Sequence, residues 1–252
     1  MDSSVEISLV IPAYQEENRI GQTIEHFSKY LEENHPGAEL LLVLDGCTDG
    51  TAKVAREAFK ASKCVLKVIE IPVNQGKGNA VKEGMLAAQG QYRLFTDADM
   101  SFLPETIAPF LQKLKDGADI AIAQRQKTVV YKGVGRRSLA VLSRAIIGNL
   151  IIPGIRDTQA GFKAFRAEAA KTLFSQLKTK GYLFDLEILL AARRHGFRID
   201  KVYVDWLDRP GSKVRLVKDS LRAGVDLVVI CLRDMLARCC AKQICPDNRQ
   251  DS

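Results

Sequence analysis

The chain has few of the features that would assign it to a class at once. Its six cysteines, Cys47, Cys64, Cys231, Cys239, Cys240 and Cys245, include no Cys-x-x-Cys pair and no partnering histidine cluster, which argues against a structural zinc site. That pattern predicts reduced thiols in a cytosolic setting. No uncharged apolar run approaches the roughly 20 residues that a bilayer-spanning helix needs. Met1-Asp2-Ser3-Ser4 leads straight into a predicted strand without the basic and apolar regions of a signal peptide, so any membrane attachment is expected to be peripheral. Internal repeats and low-complexity blocks are missing as well. The first strand-to-helix turn, Ala13 to Asn18, lacks Gly-x-Gly-x-x-Gly, which argues against a nicotinamide or flavin enzyme. Gly76-Lys77-Gly78 lacks the upstream glycine and the Ser/Thr of a phosphate-cradling loop. The basic residues have no interleaved aromatic platform and no recognisable reading helix, so nucleic acid is not an expected partner.

What is present is a large apolar core and a repeating rhythm. The 252 residues are 46% hydrophobic, enough for one large α/β domain, expected over 1–219, followed by a tail over 220–252 that alternates apolar and basic residues. Ile7 to Pro12, Glu39 to Leu44, Val65 to Ile71 and Tyr92 to Phe95 are short apolar runs that read as buried strands. Between them, helices are predicted by the periodic Ile20, Ile24, Phe27 and Leu31 and by Ala52 to Ala61 and Ala80 to Ala88. This alternation predicts a mostly parallel, Rossmann-like sheet with right-handed crossovers and helices on both faces. Linker-like composition is confined to Tyr131 to Arg137 and Leu207 to Val214.

Thr96-Asp97-Ala98-Asp99 follows the fourth run and places two carboxylates at the carboxyl edge of the sheet, where open α/β sheets bind ligands. Residues two apart in an extended segment project to the same side, so Asp97 and Asp99 can face one ligand. Two anions that close need a cation between them, and Mg²⁺ or Mn²⁺ suits a pair of carboxylates completed by water and substrate phosphate. The plainer alternative makes both acids turn or cap residues. Tyr14 and Glu16 crown the first strand, Asp45 and Asp49 the second. Tyr14 can stack on a base and Asp45 can accept its ring N–H, although Asp49-Gly50-Thr51 also reads as a helix entry.

Four ordered motifs resemble the family 2 glycosyltransferases. They are Val10-Ile11-Pro12-Ala13-Tyr14-Gln15-Glu16, Leu44-Asp45-Gly46-Cys47-Thr48-Asp49-Gly50-Thr51, Asn74-Gln75-Gly76-Lys77-Gly78-Asn79-Ala80 and Phe95-Thr96-Asp97-Ala98-Asp99. Further on, Asp157-Thr158-Gln159-Ala160-Gly161-Phe162-Lys163, Phe184-Asp185-Leu186-Glu187, Trp206 and Arg209-Pro210-Gly211-Ser212-Lys213 look like the polyprenyl-phosphate branch. The resemblance implies an A-type glycosyltransferase fold and inverting transfer of a hexose from a nucleotide sugar to polyprenyl or dolichyl phosphate. Glucose from UDP-glucose is favoured; GDP-mannose or another acceptor is the alternative. It further implies donor contacts from Pro12, Tyr14, Glu16, Asp45, Lys77, Asp97 and Lys213, with Arg209 and Lys213 closing over the diphosphate. Asp185 sits where the family keeps a catalytic carboxylate. One departure is Gly46, where the family usually has a second acid, and it motivates a nucleotide-sugar binding module without turnover as the non-enzymatic alternative.

A lipid phosphate is already ionised at neutral pH, so its approach to an anionic donor needs neutralisation rather than a base. The net charge is +7, and basic residues crowd the middle of the chain. Arg125, Arg136 and Arg137, with the hydroxyl of Ser143, are the acceptor-phosphate candidates. Ala145 to Pro153 and the tail read either as interfacial helices or as core. The expected location is the cytoplasmic side of a membrane, peripherally attached.

Overall fold

Apolar runs become strands wherever both faces are covered, and β2 is the clearest case. In the computed structural model, which describes residues 5–60, 62–126, 152–155, 157–207 and 216–244, every residue of β2 (Glu39–Asp45) is buried. It lies beside β1 (Ile7–Ala13), with β3 (Val65–Ile71) outside it and β4 (Tyr92–Phe95) on the far side of β1. β5 (Ile120–Arg125), β6 (Lys163–Arg166) and β7 (Ile199–Val204) complete a seven-stranded sheet of order β3-β2-β1-β4-β6-β5-β7. All described pairings are parallel except those of β6, which runs antiparallel to both β4 and β5.

Helices cover both faces, as the alternation predicts. α1 (Ile20–Asn34), α2 (Thr51–Phe59) and α4 (Ile107–Lys115) bury Ile24, Phe27, Leu31, Phe59 and Phe110 on one side. α3 (Lys77–Ala87), α5 (Ala167–Gln176) and α6 (Phe184–Arg194) bury Val81, Met85, Phe174, Phe184 and Leu189 on the other. α3 begins at Lys77 rather than at the expected Ala80. Gly76, at φ +102°, turns the chain into the helix early, and the Gly78 N–H donates to the Lys180 carbonyl at 2.8 Å.

Pro12 marks where the sheet opens. Thr96 N–H donates to the Val10 carbonyl at 3.0 Å, and Pro12, two residues on, faces the same edge after β4 has ended. A proline is tolerated there because no ladder partner needs its missing N–H. Successive strands depart to opposite sides from β1 and β4, so the crevice between their carboxyl ends is the topological switch point.

The last helix, α7 (Leu216–Ile244), contains the expected boundary at 219/220 within its own length. Ile230 is buried in the second core with Leu227 packed beside it. Asp234 pairs with Arg194 of α6 and, at 2.7 Å, with Arg238. The stretch over 224–239 is therefore docked by one face on the helices that cover the sheet. The opposite face presents Val225, Val228, Leu232, Met235 and Leu236, all exposed. Helical spacing sets these five on one stripe. Among the described residues, no helix is long and apolar enough to cross a membrane.

Candidate active site

The loops after β1, β2 and β4 and the turn into α3 converge on the switch point. Gln15, in the left-handed region at φ +55°, ties the first two loops together. Its amide nitrogen donates to the Thr48 hydroxyl at 2.7 Å, and its amide oxygen accepts the N–H groups of Thr48 and Asp49. Tyr14 beside it is exposed, as a base-stacking ring requires. Pro12 is half-buried near the end of β1. Glu16 accepts two hydrogen bonds from the Arg19 guanidinium, each 2.7 Å, and Arg19 also stands 3.9 Å from Asp99. Asp49 accepts the Thr51 N–H and hydroxyl, which is the helix-entry role read from Asp49-Gly50-Thr51.

Asp45 has an occupation that sequence did not indicate. It is buried, and its two oxygens accept the N–H groups of Gln75 and Gly76, each at 2.8 Å. It anchors the loop that leads to Lys77. Gly46 has a reason as well: at φ +67°, a Cβ there would lie 2.2 Å from the Asn74 nitrogen. The loop held by Asp45 excludes the acid that the family usually carries at this position.

Asp97 and Asp99 follow β4, but Asp99 lies in a turn with Ala98 rather than in the extended segment expected, and their side chains are 28% and 26% exposed, open enough to meet a ligand. Asp99 Oδ1 accepts the Ser101 N–H at 3.0 Å. Asp97 Oδ1 lies 2.5 Å from Lys77 Nζ. Behind Asp97 the Gly161 backbone comes so close that an added Cβ would sit 1.9 Å from Oδ2. Burial alone would depress the pKa of the Lys77 ammonium. The charges of Asp97, Asp185 and Asp99 outweigh it and raise that pKa.

Asp185, in the first turn of α6, is buried beneath this pair. Its Oδ1 stands 2.7 Å from Lys163 Nζ, itself fully buried, 2.7 Å from the Ala160 carbonyl and 5.5 Å above the Phe95 ring. Burial pushes the Asp185 carboxyl upward against the opposing pull of Lys163 and Lys77. Glu187, by contrast, accepts the N–H groups of Lys178 and Thr179 and shapes the loop before α6. Arg125, at the end of β5, is partnered within the fold. Its guanidinium is held by Asp157 at 2.5 and 2.8 Å and lies over Trp206 at 5.1 Å, so its charge is already matched by a carboxylate. Arg136, Arg137, Ser143, Arg209 and Lys213 lie outside the described residues.

Three contributors escaped sequence reasoning: Arg19, Lys163 and Gly161. The last two stand inside a motif that was recognised, and Arg19 follows Glu16 at helical spacing, the one local signal available for it.

The donor set fits a hard divalent ion. Among the described residues no group of three or more metal-ligating side chains exists, and Asp97 with Asp99 supplies two carboxylates. Mg²⁺ and Mn²⁺ accept such a pair and complete their shell with water and phosphate oxygens. The ammonium of Lys77 stands in for positive charge at Asp97.

Similarity to known proteins gives the family and the fold. The family model described as Glycosyl transferase family 2 matches residues 8–174. A dolichyl-phosphate beta-glucosyltransferase of Saccharomyces cerevisiae is 32% identical over 250 residues, covering 91% of this chain and 75% of that protein. The Homo sapiens protein of the same name is 32% identical over 248 residues, with 90% and 75% coverage. Among solved structures, glucosyl-3-phosphoglycerate synthase from Mycobacterium tuberculosis, in complex with Mn²⁺, UDP-glucose and phosphoglyceric acid, superposes with a TM-score of 0.71. It is 23% identical, covers 90% of this chain and 80% of its own, and shares the A-type fold. With two thirds of its length matched by the family model and relatives alike over most of both sequences, the chain belongs to glycosyl transferase family 2.

Proposed function

We propose that the protein transfers glucose, with inversion, from UDP-glucose to dolichyl or a related polyprenyl phosphate, assisted by Mg²⁺ or Mn²⁺. The observation that carries this reading is the carboxylate pair Asp97 and Asp99 at the switch point, backed by relatives whose names state that activity. An oxygen of the lipid phosphate attacks the anomeric carbon, the bond from that carbon to the UDP oxygen breaks, and UDP leaves with the electron pair. Tyr14 stacks on the base, and the Gln15 bridge keeps the first two loops in register. Asp97 and Asp99 would hold the divalent ion, which would supply Lewis-acid stabilisation of the departing diphosphate. Arg209 and Lys213 close over the same group, and Arg136, Arg137 and Ser143 receive the acceptor; these assignments rest on the sequence.

The Asp185 environment supports a phosphate acceptor. A hydroxyl acceptor needs a general base, whereas Asp185 is buried and tied to Lys163, which suits it to positioning. An ionised phosphate needs no base. The outer stripe of α7 supports peripheral attachment to the membrane that holds such a lipid. The exposed Arg233 adjoins it without an ion pair among the described residues, as an anionic surface would favour. A Cβ on Gly181 would lie 3.0 Å from Asp226 of α7, and the neighbouring Lys180 carbonyl receives Gly78, so the helix borders the site. The described cysteines, Cys47, Cys64, Cys231 and Cys239, are free thiols, in keeping with the cytoplasmic face.

The test is to incubate purified protein with dolichyl phosphate and a panel of radiolabelled UDP- and GDP-sugars, with and without Mn²⁺, and count label in the organic phase. Glucose label from UDP-glucose is expected, requiring metal and falling by about 10²–10³-fold in Asp97→Asn. Label from GDP-mannose alone would reassign the donor. No label with any sugar would leave a binding module.

A further inference from the structure

We propose that Lys77 is a built-in counter-ion that competes with the divalent ion for Asp97 and is handed over to the donor diphosphate when the nucleotide binds. This rests on the metal-assisted reading above and specifies how that site is regulated.

Two carboxylates one residue apart repel each other, and the fold answers each with a different cation. Arg19 faces Asp99 but is already held by two hydrogen bonds to Glu16. Among the described residues, Lys77 has no such second hydrogen-bonded anchor. Among the described residues, Asp97 is the hydrogen-bond partner of its ammonium, at 2.5 Å. An ammonium and a dication on the same Oδ1 repel each other at short range with little water between them, so the two compete for it. Metal entry to Asp97 Oδ1 therefore favours release of Lys77.

The position of Lys77 fits departure of the side chain without movement of the backbone. The residue opens α3, where the helix dipole disfavours a cation, so helix stability does not account for a lysine there. Its flanking glycines are locked. A Cβ on Gly76 would lie 2.5 Å from the Lys180 carbonyl oxygen, and one on Gly78 would lie 2.5 Å from the Thr179 carbonyl oxygen. A rigid anchor carrying a long, rotatable ammonium is a hinge in itself. The same helix end favours anions, so a diphosphate arriving beside it meets both the peptide N–H groups and the released ammonium.

The consequence is reciprocal coupling. Nucleotide binding removes the competitor from Asp97, so metal binds more tightly, and metal binding frees Lys77 for the nucleotide by the same factor. Without nucleotide, the carboxylate pair stays neutralised and metal binds weakly.

The experiment measures Mn²⁺ binding to the full chain by electron paramagnetic resonance of free Mn²⁺, with and without UDP, in wild type, Lys77→Met and Lys77→Arg. Wild type is expected to bind Mn²⁺ at least about tenfold more tightly with UDP. Lys77→Met is expected to bind Mn²⁺ alone about tenfold more tightly than wild type and to lose most of the coupling. Lys77→Arg, which keeps the charge, is expected to retain it. Lys77→Gln, which keeps a donor to Asp97, replaces the methionine variant if circular dichroism shows misfolding. Unchanged Mn²⁺ affinity in the neutral variants, with wild type still binding Mn²⁺ and UDP, overturns the counter-ion role and leaves the transferase reading intact. Wild type that binds no Mn²⁺ even with UDP overturns both.

Discussion

Gly161 shows how a single atom governs the site. No side chain fits between its backbone and Asp97, because a Cβ would lie 1.9 Å from Oδ2. Gly161→Ala is expected to displace that carboxylate and lower turnover by about 100-fold, as small misplacements do, while far-UV circular dichroism stays native. Turnover within a few fold of wild type would show that Asp97 tolerates the shift. Lys163 works at the same scale. Removing the fully buried ammonium strands the buried Asp185, so Lys163→Met is expected to cost about 3–5 kcal/mol in urea denaturation. A loss below about 1 kcal/mol would mean that water or a protonated Asp185 replaces the pair. The motif that contains both residues was readable in the sequence, but their partners were not. Gly161 and Asp97 are distant in the chain, and no local pattern records that they touch.

At the scale of elements, α7 is apolar on two opposite faces, and periodicity alone gives neither face precedence. The docked side has Leu227, Ile230 and the Asp234–Arg194 pair; the free side has Val225, Val228, Leu232, Met235 and Leu236. Replacing Leu232 and Leu236 together by glutamate is expected to abolish co-sedimentation with vesicles containing anionic phospholipid and leave thermal stability nearly unchanged. Undiminished sedimentation would assign membrane contact to another part of the chain. The inner face over 224–239 contributes Ile230 and Leu227 to the second core. Arg125 carries a related lesson. Nothing local to the end of β5 names its partner, and the sheet brings it to Asp157 of a distant loop.

Across the whole molecule, the edge of the sheet opposite the site is pinned by Glu39. It is buried, accepts the Ser8 hydroxyl of β1 at 2.5 Å and the Gln89 N–H at 2.6 Å, and pairs with Lys67 of β3 at 2.6 Å. Burial raises its pKa, but Lys67, Ser8 and Gln89 together outweigh burial and hold it below the ordinary glutamate value. A depressed folded-state pKa gives stability that is present above the unfolded value and lost as pH falls through the folded one. The melting-temperature gap between wild type and Glu39→Gln is therefore expected to be widest near neutrality and to close as pH falls below the ordinary glutamate range. A gap independent of pH would show that the carboxylate charge contributes nothing there.

The sequence by itself determined the strands, most helices, the α/β class, the twin acids and the family, because these depend on runs, periods and motifs among near neighbours. Only the tertiary structure decided the antiparallel insertion of β6, the two amides that occupy Asp45, the steric need for Gly46, the Asp157 partner of Arg125 and the ammonium on Asp97. Each joins segments far apart in the chain. Whether two such groups meet is set by strand order and by loop paths over the sheet edge, which leave no period in the sequence.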